Sequence, residues 1–190
     1  KMTLLLLVLA GLLCVGLRAE EVTVGSGADL ASVPVDMYYR NSLFECLFYN
    51  GDLGFENGTI TALKFYNSFV SNLSNKPIRI WLGGTTLTNL SAGWIPSSQL
   101  TLVYDGAVNF PSGSNIIEIP LTVPYTYTGG ILAMLVQRPM DGNFYSFSDR
   151  FQAQTVGTIR ARKAQSDSNV LDPANPSAPG TVSGTFPQTT

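Results

Sequence analysis

The residues with which this sequence could act as an acid or a base are carboxylates: Glu45, Asp52, Glu56, Asp105, Glu118, Asp141 and Asp149. Two of them flanking a glycosidic bond would suffice to hydrolyse it. No spacing among them singles out such a pair, and several adjoin turn glycines, where Asp has a structural role. The chain has no His, which removes the commonest general base and metal ligand together. There is no Gly-x-Ser-x-Gly elbow to raise a nucleophile and no Gly-x-x-x-x-Gly-Lys loop to cradle a phosphate. With Cys14 and Cys46 as the two thiols, a zinc site is not expected either. The expectation is a protein that is not an enzyme and needs no cofactor. Calcium is the exception, because loop carboxylates and carbonyls bind it without a motif. Asp29 with Asp36, and Asp141 with Asp149, are the candidates, against the plainer reading of solvated turn carboxylates.

Binding chemistry is better represented. Tyr38, Tyr39, Trp94, Tyr125 and Tyr127, with Phe144-Tyr145, offer ring faces that could stack on the C–H patches of sugars. The same rings could serve as core and cross-strand pairs. Asn57-Gly-Thr, Asn72-Leu-Ser and Asn89-Leu-Ser fit the N-glycosylation pattern. Charged residues make up 13% of the chain and hydrophobic ones 45%, with a net charge of −2. That balance excludes a disordered polyelectrolyte. It also lacks the basic field of a nucleic-acid binder.

The elements that must position these residues begin after an N-terminal leader. Lys1, the apolar run Leu4–Leu17 and Ala19 read as a secretory signal peptide over residues 1–19, with cleavage before Glu20. The run is about 14 residues, short of the roughly 20 that span a bilayer. A lipid anchor on Cys14 and a retained anchor helix are the alternatives. No later segment is apolar enough to cross a membrane, so a secreted or surface-displayed protein is expected. From Glu20 onward the sequence holds 9 basic and 13 acidic residues, a net charge of −4. Cys46 then stands alone and reads as a buried apolar residue.

No helical period follows. Short β-prone runs separated by Gly, Asn, Ser and Pro predict strands at 21–25, 43–49, 59–66, 77–83, 100–104, 115–121, 131–138, 143–147 and 156–163. Ile131 to Val136 is apolar throughout, as for a strand covered on both faces. Asn50-Gly51, Asn57-Gly58, Asp105-Gly106, Gly129-Gly130 and Asp141-Gly142 are the predicted turns. The fold class expected is all-β, an antiparallel β-sandwich of jelly-roll-like type. Residues 20–28 would form an N-terminal strand, 29–170 the sandwich, and 171–190 a Pro/Thr-rich segment completing or leaving it.

The order Thr59–Tyr66, Asn75–Gly83, Gly93-Trp-Ile-Pro96, Leu100–Gly106 and Pro124–Gly130 resembles the β-sandwich modules of large secreted bacterial surface proteins. These are similar in turn to cleaved-adhesin jelly rolls. The resemblance implies extracellular display and adhesion rather than catalysis. Such modules tend to close with an apolar strand after a motif like Gly184-Thr-Phe-Pro187, whereas here Gln188-Thr-Thr190 follows. A missing strand would leave an open sheet edge that a neighbour could fill. Val22, Thr23 and Val24 are the candidate donor, with both valines facing inward. The function expected is a structural or adhesive subunit polymerising by strand exchange into an extracellular filament. The alternative is a carbohydrate-binding module acting as a monomer.

Overall fold

The computed structural model describes residues 20–177 and 179–190; the segment read as a signal peptide lies outside them. Eleven strands make the expected all-β sandwich: β1 (Asp29–Ala31), β2 (Asn41–Phe48), β3 (Gly58–Phe69), β4 (Leu73–Thr85), β5 (Thr101–Phe110), β6 (Gly113–Tyr127), β7 (Ile131–Arg138), β8 (Arg150–Thr155), β9 (Ala161–Ser166), β10 (Thr181–Ser183) and β11 (Thr185–Pro187). Among the described residues helix is confined to one turn, α1 (Asn50–Leu53), and a 3-10 turn at Ser97–Gln99. One antiparallel sheet has the order β1-β8-β3-β6, with β11 also on β8; the other runs β10-β9-β2-β7-β4-β5.

The first sheet is written in its alternation. Leu63, Phe65 and Phe69 of β3, and Ile117, Ile119 and Leu121 of β6, are buried, while their neighbours in sequence face outward. This period of two puts one face on the core and the other in solvent. Phe69, Phe110 and Phe151 meet in the core at one end of their strands, with ring centroids 5.0 to 5.7 Å apart. The central strands of the second sheet, β2 and β7, are buried on both faces, and all eight residues of β2 are buried. The sheet's inner face carries Phe44, Cys46 and Phe48 into the core. On its outer face Leu43, Trp81, Leu135 and Ala164 meet Leu171, and Leu47 and Ala133 meet Leu90 and Ile95. Two irregular segments therefore form a third layer, which explains the unbroken apolar run of β7. Buried side chains pin that layer by its carbonyls. Arg162 donates to Leu90 O and Ser91 O, Gln137 to Leu171 O, and Asn41 to Ser166 O and Asn169 O.

Several expectations are corrected. The 143–147 run is not a strand, and 156–160 is the connection between β8 and β9. Asp105-Gly106 lies inside β5, opposite Arg79 and Ile78 of β4, rather than in a turn. Asn50-Gly51 opens α1 instead of a tight hairpin, because β2 and β3 belong to different sheets and the chain must cross between them. Gly129-Gly130 does turn β6 into β7, with φ of 95° and 84° that favour glycine.

The C-terminal segment packs on the edge of the first sheet: β11 pairs with β8, and Phe186 is 2% exposed. Thr189 then exchanges backbone hydrogen bonds with Val24 at 2.8 and 2.9 Å, and Thr190 with Lys64. Val24 is buried, Val22 packs partly against the core, and Thr23 faces out, with its hydroxyl 2.6 Å from that of Thr190. This docking is within one chain. Val24 and residues 181–190 are accordingly packed onto the same sandwich as β8 and β9.

Candidate functional site

Connections at one end of the sandwich are held in place by ionic and backbone bonds, and this leaves aromatic rings outside. Residues 32–40 lead from β1 to β2, and 139–149 lead from β7 to β8. Tyr145 N–H donates to Met37 O, and Asp141 N–H to Arg40 O, tying the two together. Arg138, fully buried at the end of β7, donates to Asn143 O, to the Tyr39 carbonyl and to Asp141. Asp141 also receives Lys76 at 3.4 Å and the Tyr145 hydroxyl at 3.3 Å. Burial pushes the Asp141 carboxyl up, but the Asn143 N–H, Arg138 and Lys76 outweigh it and hold it below its ordinary value. Asp149 accepts the N–H groups of Val70 and Ser71 at 2.9 Å and of Ser146 at 3.2 Å.

With those polar groups engaged inside, the rings of Tyr38, Phe144 and Phe147 stand in solvent at 43%, 60% and 61% exposure. They touch edge-to-face around Tyr38, whose centroid is 5.3 Å from Tyr39, 5.8 Å from Phe147 and 6.5 Å from Phe144. An exposed cluster of this kind marks a contact surface more reliably than scattered single apolar residues. Beside it opens a cleft of about 430 Å³ between the edges of the two sheets. Val33, Tyr38, Tyr39 and Phe147 supply its apolar lining, and Asp36, Arg150, Lys163, Gln165 and Ser183 its polar lining. The volume falls in the range of small-molecule sites, which combine ring faces with a few convergent polar groups.

Arg150 lies over the Phe147 ring at 4.2 Å and donates from Nε to the Phe147 carbonyl at 3.3 Å. Asp36 is buried, accepts the Tyr38 N–H at 3.1 Å, and lies 4.0 Å from Lys163. Burial pushes its carboxyl above the ordinary value, while Lys163, the Tyr38 N–H and Arg150 pull it down. The cleft thus offers ring faces for stacking, two cations and one carboxylate.

Of the rings singled out as sugar-stacking candidates, Tyr38, Tyr39 and Phe144 are at this site, Tyr145 is held in the Asp141 network beside it, and Trp94, Tyr125 and Tyr127 are elsewhere. Tyr127 is a core residue, 1% exposed, donating to Gly130 O at 2.7 Å. Tyr125 is half-buried against the core, and Trp94 is half-buried near Arg162 in a separate depression beside Pro176. Phe147, Arg150 and Lys163 were not singled out. Phe147 falls in a run whose composition predicts a strand, and nothing in the sequence brings β8 beside β9, since no tight turn joins them. Asn57, Asn72 and Asn89 are all exposed. Of the calcium candidates, Asp141 and Asp149 are bonded as above, Asp36 lines the cleft and Asp29 is exposed on β1. No cluster of three or more metal-ligating side chains occurs among the described residues. Neither a family model, nor a curated protein, nor a solved structure matches this chain.

Proposed function

We propose that the protein is a secreted, non-enzymatic adhesive module that binds carbohydrate at the cleft beside Tyr38. The observation carrying this reading is the pair of exposed rings Tyr38 and Phe147 in the lining of a polar cleft, with exposed Phe144 against Tyr38. Sugar rings present an apolar face and a polar rim, and the site pairs stacking surfaces with hydrogen-bonding groups in that way. The strand orders β1-β8-β3-β6 and β2-β7-β4-β5 are read as the two halves of a jelly roll. That fold is shared by many lectin domains, a supporting analogy of fold alone. Replacing Tyr38 or Phe147 with Ala is expected to weaken oligosaccharide binding about 10-fold each, as befits one stacked ring. Calorimetric titration checks it, with circular dichroism confirming the fold. Binding unaffected by both substitutions would overturn the assignment.

Polymerisation by strand exchange is a second reading, favoured by the arm that ends at Val24. Gly25 and Gly27, with φ of 94° and 65°, separate this arm from β1 and give it a hinge. The slot that holds Val24 could receive the arm of another copy, the low-cost route by which exchanged elements join protomers. Deleting Glu20–Ala28 should then abolish concentration-dependent oligomers in analytical ultracentrifugation. A chain that is monomeric with the arm present rejects this reading.

A further inference from the structure

We infer that the saccharide bound at the cleft is an acidic one, its carboxylate held by Arg150 and Lys163; this rests on the carbohydrate reading of the same site. From Glu20 onward the chain carries more acidic than basic residues. Most of its cations are engaged: Lys64, Lys76, Arg79, Arg138 and Arg160 each form an ion pair with a carboxylate. The cleft departs from that pattern. Among the described residues Arg150 forms no ion pair; its bonds are to a ring face and one carbonyl. Lys163, 35% exposed, has Asp36 as its carboxylate, at the outer limit of 4.0 Å. Two cations therefore share a cleft with one buried carboxylate and carry an excess positive charge in an acidic molecule.

A neutral sugar would leave that excess uncompensated. A planar carboxylate suits it, because a guanidinium presents parallel N–H groups that a carboxylate accepts in pairs. The stacking of Arg150 on Phe147 limits the orientations of its plane. It also places the charged group beside the ring on which the sugar would lie. A uronic acid has this arrangement built in, its carboxylate standing at the edge of the pyranose ring. Partial burial of the cleft between two sheet edges reduces the water that would otherwise screen the contact.

The test uses the chain from Glu20 onward and matched oligosaccharides: oligomers of galacturonic, glucuronic and mannuronic acid, the methyl-esterified forms of each, and the neutral parent sugars. At least one uronate series should bind, its methyl ester at least 10-fold more weakly. Affinity should fall as salt is raised, R150A should lose the uronate preference, and R150K should recover part of it. Equal binding of uronates and their esters, abolished by Tyr38→Ala and Phe147→Ala, would overturn the acidic assignment and leave the carbohydrate reading standing. Absence of binding to every member of the panel would overturn both. Preference for sulfated neutral oligomers over uronates would replace the carboxylate by another anion and equally contradict the inference.

Discussion

Removing residues 185–190 is expected to abolish cooperative folding. These six residues supply β11 and extend it across the end of the first sheet. Their loss uncovers β8, the backbone of Lys64 and the buried Val24 in one step. Phe186 contributes most. It is 2% exposed and its ring lies 4.1 Å from the Arg160 guanidinium. A buried Phe cut back to Ala costs about 3–5 kcal/mol. The backbone bonds from Gln188 to Gln152, between Thr189 and Val24, and between Thr190 and Lys64 are lost with it. At about 1 kcal/mol each they raise the total to a large fraction of the 5–15 kcal/mol of a typical domain. The single substitution Phe186→Ala separates side chain from backbone. It should lower Tm by about 6–20 °C, at about 2–4 °C per kcal/mol for a chain of this size. Differential scanning calorimetry measures both variants. A truncated chain that melts where the intact one does would mean that these residues do not close the sheet.

Glu45→Gln should stabilise the protein, and by more the higher the pH. Glu45 lies on β2 with its carboxyl buried under residues 86–100, both oxygens within 3.3 Å of the Ile95 nitrogen. Burial, only partly offset by the Ile95 N–H and Arg162, pushes its pKa from the usual carboxylate value up to about 8. In the unfolded chain the same group ionises near 4.3. Below that pH both states hold the proton and the group has no effect on stability. Between it and about 8 the folded state retains a proton that the unfolded state has released, so stability falls as pH rises. Above about 8 the penalty is complete, on the order of 5 kcal/mol. Gln keeps an oxygen for the Ile95 N–H and does not titrate. Urea unfolding at pH 4 and pH 8.5 checks this: the two proteins should be close at the lower pH and far apart at the higher. Parallel profiles across the range would show that Glu45 does not titrate in this window.

The fold was more legible in the sequence than the site. Ile131–Arg138 announced a doubly covered strand because apolar residues run without a break, and Gly129-Gly130 announced the turn before it. Asp105-Gly106 misled because a turn dipeptide carries no sign of register. Within β5 the two residues pair with Arg79 and Ile78, and tertiary pairing overrides the local preference. The C-terminal strand was missed for a related reason. Thr185-Phe-Pro187 has one large apolar residue, and its pairing depends on β8, some thirty residues earlier. For the rings, composition gave candidates but not their sides. Tyr38 and Tyr127 are the same residue type, one in solvent and one in the core. What separates them is the position of Tyr127 on the inward face of β6 and of Tyr38 on a connection held by Asp36.

Carbohydrate binding at the cleft beside Tyr38 is tested most directly by mapping where a sugar lands. The measurement is a titration of the isotope-labelled chain from Glu20 onward with an oligosaccharide it binds, followed by two-dimensional amide and aromatic resonance spectra. Shifts should concentrate on Tyr38, Tyr39, Phe144, Phe147, Arg150 and Lys163, and saturate together at one dissociation constant. Shifts confined to Trp94 and its surroundings, or spread evenly over the surface, would contradict the assignment.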